Sequence, residues 1–173
     1  MGKTKNIAWV VDGECIRTLE ESLREYGCTV EKFRNTIPAL RAFDERRYDG
    51  IILNTRVGPG VIKDEKKGIT MGYEKGPYDN DPRIEQIMKE YKHREGIGNT
   101  DYWKLAIYVI EVAHRVGSPN ERTPIFVAGT HDDGEDPLFP DAKETCKRAG
   151  AEYYNLISDQ RYAALIRDIK KLQ

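Results

Sequence analysis

The chain has 173 residues, of which 39% are hydrophobic and 33% charged, and its formal net charge is −1 at pH 7. This length suits one domain with a substantial core, and the balanced charge gives no overall attraction to nucleic acid or to anionic membranes. No apolar stretch approaches the roughly 20 residues that span a bilayer, and the N-terminus does not resemble a secretory signal, so we expect one cytoplasmic domain over residues 1–173.

The first third of the chain alternates between strand and helix patterns. Two short apolar runs at 7–11 and 51–55 are typical of strands buried on both faces, and an alternating strand is predicted at 28–33 between them. A helix follows the first strand and ends at Gly27, and a second helix begins at Asn35 or Thr36 and ends near Arg46. Residues at helical spacing are predicted to point inward in these two helices: Ile16, Leu19, Leu23, Tyr26, Leu40 and Phe43.

The region 57–100 interrupts this alternation and is interpreted as an insertion. Its first part, 58–77, is rich in glycine and predicts a long loop, in which a small hairpin remains an open alternative. A helix is then predicted at 82–95. The next helix, 101–116, is apolar almost all round, so we expect it to be buried between the sheet and a cover formed by the inserted helix. Its apolar residues include Leu105, Ile107, Val109, Ile110, Val112 and Val116.

The last third returns to alternating elements. A strand is predicted at 125–128, followed by the acidic loop 131–136, a short helix at 141–149 and a strand at 152–156. The final helix is capped by Ser158 and directs a set of apolar residues inward: Tyr162, Leu165, Ile166, Ile169 and Leu172.

Polar residues follow several of the predicted strands, and in an open parallel sheet such residues meet in a crevice at the carboxyl edge. The predicted binding crevice contains Asp12, Glu14, Asn54, Arg56, Thr130 and His131. One interpretation is a catalytic group of Asp12, Glu14, His131 and Asp133, or a metal group of Asp12, Asp132 and Asp133. The simpler interpretation has Asp12 capping the next helix, Glu14 in its solvated first turn and the acidic loop in solvent.

Four segments in this order resemble the receiver domain of two-component response regulators. They are VVDGE at 10–14, YDGIILN at 48–54, TPIFVAGT at 123–130 and GAEYY at 150–154. The resemblance implies a flavodoxin-like α/β fold, a three-layer sandwich with a five-stranded parallel sheet in the order 2-1-3-4-5. It also implies an interaction face formed by the last two helices and the last strand.

The resemblance fails at the functional positions of the family. The second acid of the first strand is replaced by Gly13, the phospho-accepting aspartate by Asn54, and the Thr or Ser of the fourth strand by Gly129. The family lysine falls on Ile157 and its proline on Ser158. Because an amide is not an anionic nucleophile and Mg²⁺ prefers several hard oxygen ligands, we expect neither aspartyl phosphorylation nor a bound metal, with Mg²⁺ the weak alternative.

These patterns predict a regulatory protein-interaction module in signalling that works without phosphorylation and without catalysis. Its expected partner is another protein, a second copy of the chain included, and not a nucleic acid. The alternative is a small nucleotide- or nucleoside-processing hydrolase or transferase that uses the crevice and closes it with the glycine-rich loop.

Overall fold

A computed structural model describes residues 4–11, 17–34, 36–55, 62–64, 68–70, 102–129, 141–156 and 159–172. The strands are β1 (Lys5–Val10), β2 (Cys28–Phe33), β3 (Gly50–Asn54), β4 (Ile62–Asp64), β5 (Gly68–Thr70), β6 (Ile125–Gly129) and β7 (Glu152–Asn155). The helices are α1 (Arg17–Glu25), α2 (Thr36–Glu45), α3 (Tyr102–Ala113), α4 (Ala142–Arg148) and α5 (Asp159–Lys170). Among the helices in these ranges, none is long and apolar enough to cross a membrane.

Five strands form one parallel sheet in the order β2-β1-β3-β6-β7. Counted along the chain without the small hairpin, this is the order 2-1-3-4-5, so the predicted flavodoxin-like fold is confirmed. The register places Val10 beside Phe33 on one side and Leu53 on the other. Because all five strands run the same way, their carboxyl ends lie along one edge, and that edge positions the candidate site.

The three central strands are buried on both faces, which explains their continuous apolar sequences. On one face, Ala8 and Val10 belong to a cluster that includes residues of α2, α3 and α4. On the other face, Ile7 and Trp9 belong to a second cluster, which includes residues of α1 and α5. The alternation of side chains along each strand therefore divides the core into an α2/α3/α4 cluster and an α1/α5 cluster.

The hairpin left open by the sequence is present as β4 and β5. These two strands pair antiparallel, with Ile62 opposite Thr70, and form a separate two-stranded sheet. The rest of the predicted insertion, including the helix at 82–95, lies outside the described residues. Its role as a cover for α3 and the single-domain reading of 1–173 stay predictions.

Two residues predicted to point inward are exposed, and in each case the helix ends earlier than its apolar pattern. The helix α3 ends at Ala113, and Val116 lies in the turn that follows with 92% of its surface exposed. The helix α1 ends at Glu25, and Tyr26 lies in a turn closed by Gly27, whose φ is 74°. Tyr26 is 51% exposed, and Lys170 Nζ lies 3.3 Å from the centre of its ring, so the aromatic face binds a cation instead of the core.

The two described cysteines, Cys28 and Cys146, are free and buried. Burial raises the pKa of the Cys146 thiol to about 12. Burial is also the main cause of the raised pKa of Cys28. Both thiols are packing groups with little reactive thiolate at neutral pH.

A buried asparagine joins two connections at the amino edge of the sheet. Asn120 Nδ2 donates hydrogen bonds to the carbonyl oxygens of Phe43 (2.8 Å) and Arg46 (2.7 Å). Its Oδ1 accepts from the backbone N–H of Tyr48 (2.9 Å). Thr123 Oγ1 lies 3.2 Å from the same Oδ1 and 3.0 Å from the carbonyl oxygen of Tyr48, and its single proton can be donated to only one of them. The amide of Asn120 thus ties the loop after α3 to the loop after α2.

The contrast between Ile110 and Val116 predicts very different costs of truncation. Ile110 is 0% exposed, so Ile110→Ala should lower the free energy of unfolding by about 2–5 kcal/mol. Val116→Ala should change it by less than about 0.5 kcal/mol, as is usual for a surface substitution. Urea denaturation of both variants measures the two values, and similar losses for the pair would contradict this assignment of the end of α3.

Asn120→Asp should be strongly destabilising although it preserves the shape of the side chain. The carboxylate cannot donate to the carbonyls of Phe43 and Arg46, and it places a buried charge against both. We expect a loss of about 3 kcal/mol or more at pH 7, measured by urea denaturation. The exposed Asn6 provides a matched control, since Asn6→Asp makes the same chemical change at the surface and should cost less than about 1 kcal/mol.

Candidate functional site

The carboxyl ends of β1, β3, β6 and β7 are held level by hydrogen bonds that continue past the strands. Val11 N donates to Phe33 O (2.9 Å), Thr55 N to Ala128 O (3.2 Å) and Leu156 N to Gly129 O (2.7 Å). The edge therefore has a rigid base formed by main chain, and side chains at these positions have fixed directions. This edge is where ligands bind in open parallel sheets.

Asn54 is the one residue of the predicted crevice that lies within the described part of the chain. Asp12, Glu14, Arg56, Thr130 and His131 lie outside the described residues, and so do Asp132 and Asp133. Their grouping into a binding, catalytic or metal site stays a prediction. The same holds for the enzyme alternative, because the acids and the histidine that would act as its acid–base groups all lie there.

Asn54 is held by a tryptophan from the neighbouring strand. Trp9 Nε1 donates a hydrogen bond to Asn54 Oδ1 over 3.1 Å, and Trp9 is 0% exposed. An indole N–H is only a donor, so the atom that faces it must be the amide oxygen, which fixes the orientation of the Asn54 side chain. Rotating the amide by 180° would leave a buried N–H without an acceptor, at a cost of about 1–3 kcal/mol.

The described residues at the carboxyl ends of β1, β3, β6 and β7 are uncharged. They are Val11, Asn54, Thr55, Gly129, Asn155 and Leu156. Thr55 and Asn155 are buried and Asn54 is half-buried. At position 54, the oxygen that could serve a metal ion is already turned toward Trp9, and the amide lacks the charge of a nucleophilic carboxylate. These described residues offer neutral hydrogen-bonding groups.

Gly129, at the end of β6, lies under an aromatic ring of the edge strand β7. A Cβ built on Gly129 would overlap the hydroxyl oxygen of Tyr153 and would lie 2.7 Å from its Cζ and 2.9 Å from its Cε2. Real side chains do not approach so closely, and the ring atoms belong to a half-buried residue that packs against the core. A side chain at position 129 therefore requires Tyr153 to move.

The face formed by α4, β7 and α5 is rich in charges that pair within the face. Arg148 Nε lies 3.3 Å from Glu144 Oε1, and Lys171 Nζ lies 2.6 Å from Asp168 Oδ1. The hydrogen bond from Lys171 is the main cause of the lowered pKa of Asp168. Because these pairs are largely exposed, they orient side chains more than they stabilise the fold.

Tyr154 connects β7 to α5 on this face. Its hydroxyl lies 2.6 Å from Glu152 Oε2 and 2.9 Å from Asp168 Oδ2, so one phenolic proton faces two carboxylates. Burial, followed by these two hydrogen bonds, raises the pKa of Tyr154. The phenol stays protonated at all physiological pH values and acts as a fixed hydrogen-bond donor on the surface of the last strand.

Trp9 and Tyr153 were not predicted to contribute to the site. The signal available for Trp9 was an aromatic residue with a polar N–H inside an otherwise aliphatic buried strand, since a buried indole N–H needs an acceptor. For Tyr153 no comparable signal exists, because its contact with Gly129 depends on the register that pairs Val127 with Tyr153. Asn54 itself was correctly placed at the end of a buried strand.

No protein-family model matches the chain, and no curated protein matches it either. Solved receiver domains share its fold at low sequence identity. The receiver domain of sensor histidine kinase PA1611 from Pseudomonas aeruginosa PAO1, whose structure has a magnesium ion coordinated in the active-site cleft, has a TM-score of 0.56 and 17% identity over 98% of each chain.

Two further structures give the same result. The chemotaxis response regulator CheY4 of Vibrio cholerae has a TM-score of 0.56 and 15% identity, covering 96% of this chain and 99% of its own. A response regulator from Hahella chejuensis has a TM-score of 0.55 and 18% identity, covering 96% of this chain and 92% of its own. The chain thus has a receiver-like fold over nearly its whole length.

The contact between Gly129 and Tyr153 predicts that a family-type residue is not tolerated at position 129. Gly129→Thr should lower the free energy of unfolding by about 1–3 kcal/mol, because its side chain collides with the tyrosine ring. In the Tyr153→Ala background the same substitution should cost much less, and the interaction energy of the double-mutant cycle measures the collision. Additive losses would mean that Tyr153 is not the obstacle.

Proposed function

We propose that this chain, which has the fold of a response-regulator receiver domain, is a regulatory protein-interaction module that works without phosphorylation. The observation that carries the proposal is the hydrogen bond from Trp9 to Asn54 at the carboxyl end of β3. By the resemblance, position 54 is where the family has its phospho-accepting aspartate. Here the residue is a neutral amide whose oxygen is bound to a core tryptophan.

Phosphorylation of an aspartate needs its carboxylate as the nucleophile and a cation that neutralises the transferred group. The amide of Asn54 is not a nucleophile, and its Oδ1 would have to serve a metal ion and the Trp9 N–H together. The PA1611 receiver domain has a magnesium ion in its cleft. For this chain we propose that Mg²⁺ binds weakly or not at all, since Mg²⁺ requires several hard oxygen ligands at close to octahedral geometry.

Gly129 supports the same conclusion from the neighbouring strand. By the resemblance this position holds a Thr or Ser, yet the ring of Tyr153 fills the space that such a side chain needs. Reverting one residue therefore does not restore the family arrangement. The substitutions at 54 and 129 are each matched by an aromatic residue that packs with them, which is what a sequence adapted to a different task would show.

The partner that we propose is another protein, a second copy of the chain included. The face of α4, β7 and α5 is the candidate surface, because the resemblance assigns interactions to it. Its described side chains include Glu144, Arg148, Glu152 and Lys171, with charges of both signs. Such a surface favours a partner with complementary charges and an association that weakens as salt is added.

The chain should not accept phosphate from a small-molecule donor. Incubation with acetyl phosphate and Mg²⁺, followed by intact mass spectrometry, should leave the mass unchanged. A response regulator with an intact acceptor aspartate, treated in parallel, shows that the donor is active. Asn54→Asp is the matched variant, and it should also fail to reach full phosphorylation because the other positions of the family set are replaced as well.

The same samples provide the test of phosphorylation independence. Sedimentation velocity of the treated and untreated chain should give the same distribution of species, whether monomer or dimer. A phosphoryl adduct on an aspartate of the wild-type chain, or a change of association after treatment, would overturn the proposal.

A further inference from the structure

The side chain of Trp9 joins two environments that are otherwise separate. Its indole N–H reaches the half-buried Asn54 at the carboxyl edge of the sheet, 3.1 Å from Oδ1. Its ring lies in the core on one face of the sheet and is 0% exposed. A residue of the candidate site is therefore bound directly to a large core side chain.

The core around Trp9 is the α1/α5 cluster. Besides Trp9 it contains Leu19 and Leu23 of α1 and Leu165 and Ile169 of α5, all at most 1% exposed. Because a protein interior is packed as densely as an organic crystal, a large ring cannot move there without displacing its neighbours. The α2/α3/α4 cluster lies on the other side of the sheet and does not include Trp9.

The hydrogen bond makes the position of this ring depend on Asn54. Since the buried indole N–H needs an acceptor, weakening the bond gives the ring a reason to shift or to admit water. A group that binds Asn54 in the crevice and turns its amide has this effect. On the other face of the sheet, Gly129 has no side chain, so it cannot transmit a change in the crevice to the α2/α3/α4 cluster.

We propose that the Trp9–Asn54 hydrogen bond couples the crevice to α1 and α5, so that a change at Asn54 loosens or tightens this helical layer and leaves α2 and α3 unaffected. The coupling concerns one defined contact with two states, bond made and bond broken, which is the physical requirement for communication between sites. It goes beyond the proposed function and does not depend on which protein the module binds.

The experiment uses the full chain with Trp103→Phe. Because the chain has two tryptophans, this substitution leaves Trp9 as the single one. Asn54→Leu removes the acceptor at similar volume, whereas Asn54→Asp keeps an oxygen acceptor. Readouts are the indole N–H resonance of Trp9 and amide hydrogen exchange along the chain. Asn54→Leu should shift the resonance and raise exchange in α1 and α5 about tenfold, with less than about twofold change in α2 and α3.

Thr55→Val is the matched control at the next position. Thr55 is buried and lies two residues after Leu53, which belongs to the α2/α3/α4 cluster. The ladder continues to Thr55 N, so alternation along the strand places its side chain on the same face as Leu53 and opposite to Trp9. Thr55→Val should leave the Trp9 resonance and the amide exchange of α1 and α5 unchanged. Asn54→Asp should keep wild-type protection from exchange in both helices.

The coupling is overturned if Asn54→Leu raises amide exchange equally in α1, α5, α2 and α3, since only global stability would then have changed. It is also overturned if the Trp9 resonance shifts without any change in α1 and α5. Neither result bears on phosphate uptake, so this inference and the proposed function fail separately.

Discussion

Burial of the central strands on both faces is the constraint on which the rest of the structure depends. The side chains of β1, β3 and β6 fill two core clusters, and their backbone groups are used by the parallel ladder. Polar side chains are therefore excluded from the middle of the sheet and collect at its two edges. Each edge has an asparagine whose side chain is hydrogen-bonded to buried groups, and the two asparagines differ in their exposure and in the hydrogen bonds that they make.

At the amino edge, Asn120 is 0% exposed, donates two hydrogen bonds through Nδ2 and accepts one from the backbone N–H of Tyr48. Such a buried, bonded amide is a structural link between two parts of the backbone. At the carboxyl edge, Asn54 is half-buried, and its Oδ1 accepts a hydrogen bond from Trp9. The same residue type thus stabilises loops at one end of the strands and occupies the candidate site at the other.

Two positions at the carboxyl edge are packed against aromatic residues. Trp9 binds the amide at position 54, and Tyr153 fills the space above Gly129. Both aromatic residues are anchored in the core or against it, so these contacts at the carboxyl edge are part of how the sheet packs. They agree with the proposed interaction module and with the proposed coupling of the crevice to α1 and α5 through Trp9.

The sequence by itself determined the order of strands and helices, the five-stranded sheet and most of the core, including Leu19, Leu23, Ile110, Leu165 and Ile169. The elements and the core residues follow from periodicity, which reflects the burial of each element on its own, whereas the order of the sheet was implied by the resemblance. Where a helix ends depends on the turn that follows, which is why Val116 and Tyr26 were assigned to the core and are exposed.

The pairing of Trp9 with Asn54 joins positions 45 residues apart, and the fit of Tyr153 against Gly129 requires the register of β6 and β7. The bonds of Asn120 to Phe43, Arg46 and Tyr48 likewise bring together different parts of the chain. Only the tertiary structure decided these contacts, because each depends on the positions of at least two elements and local sequence patterns contain no information about distance between them.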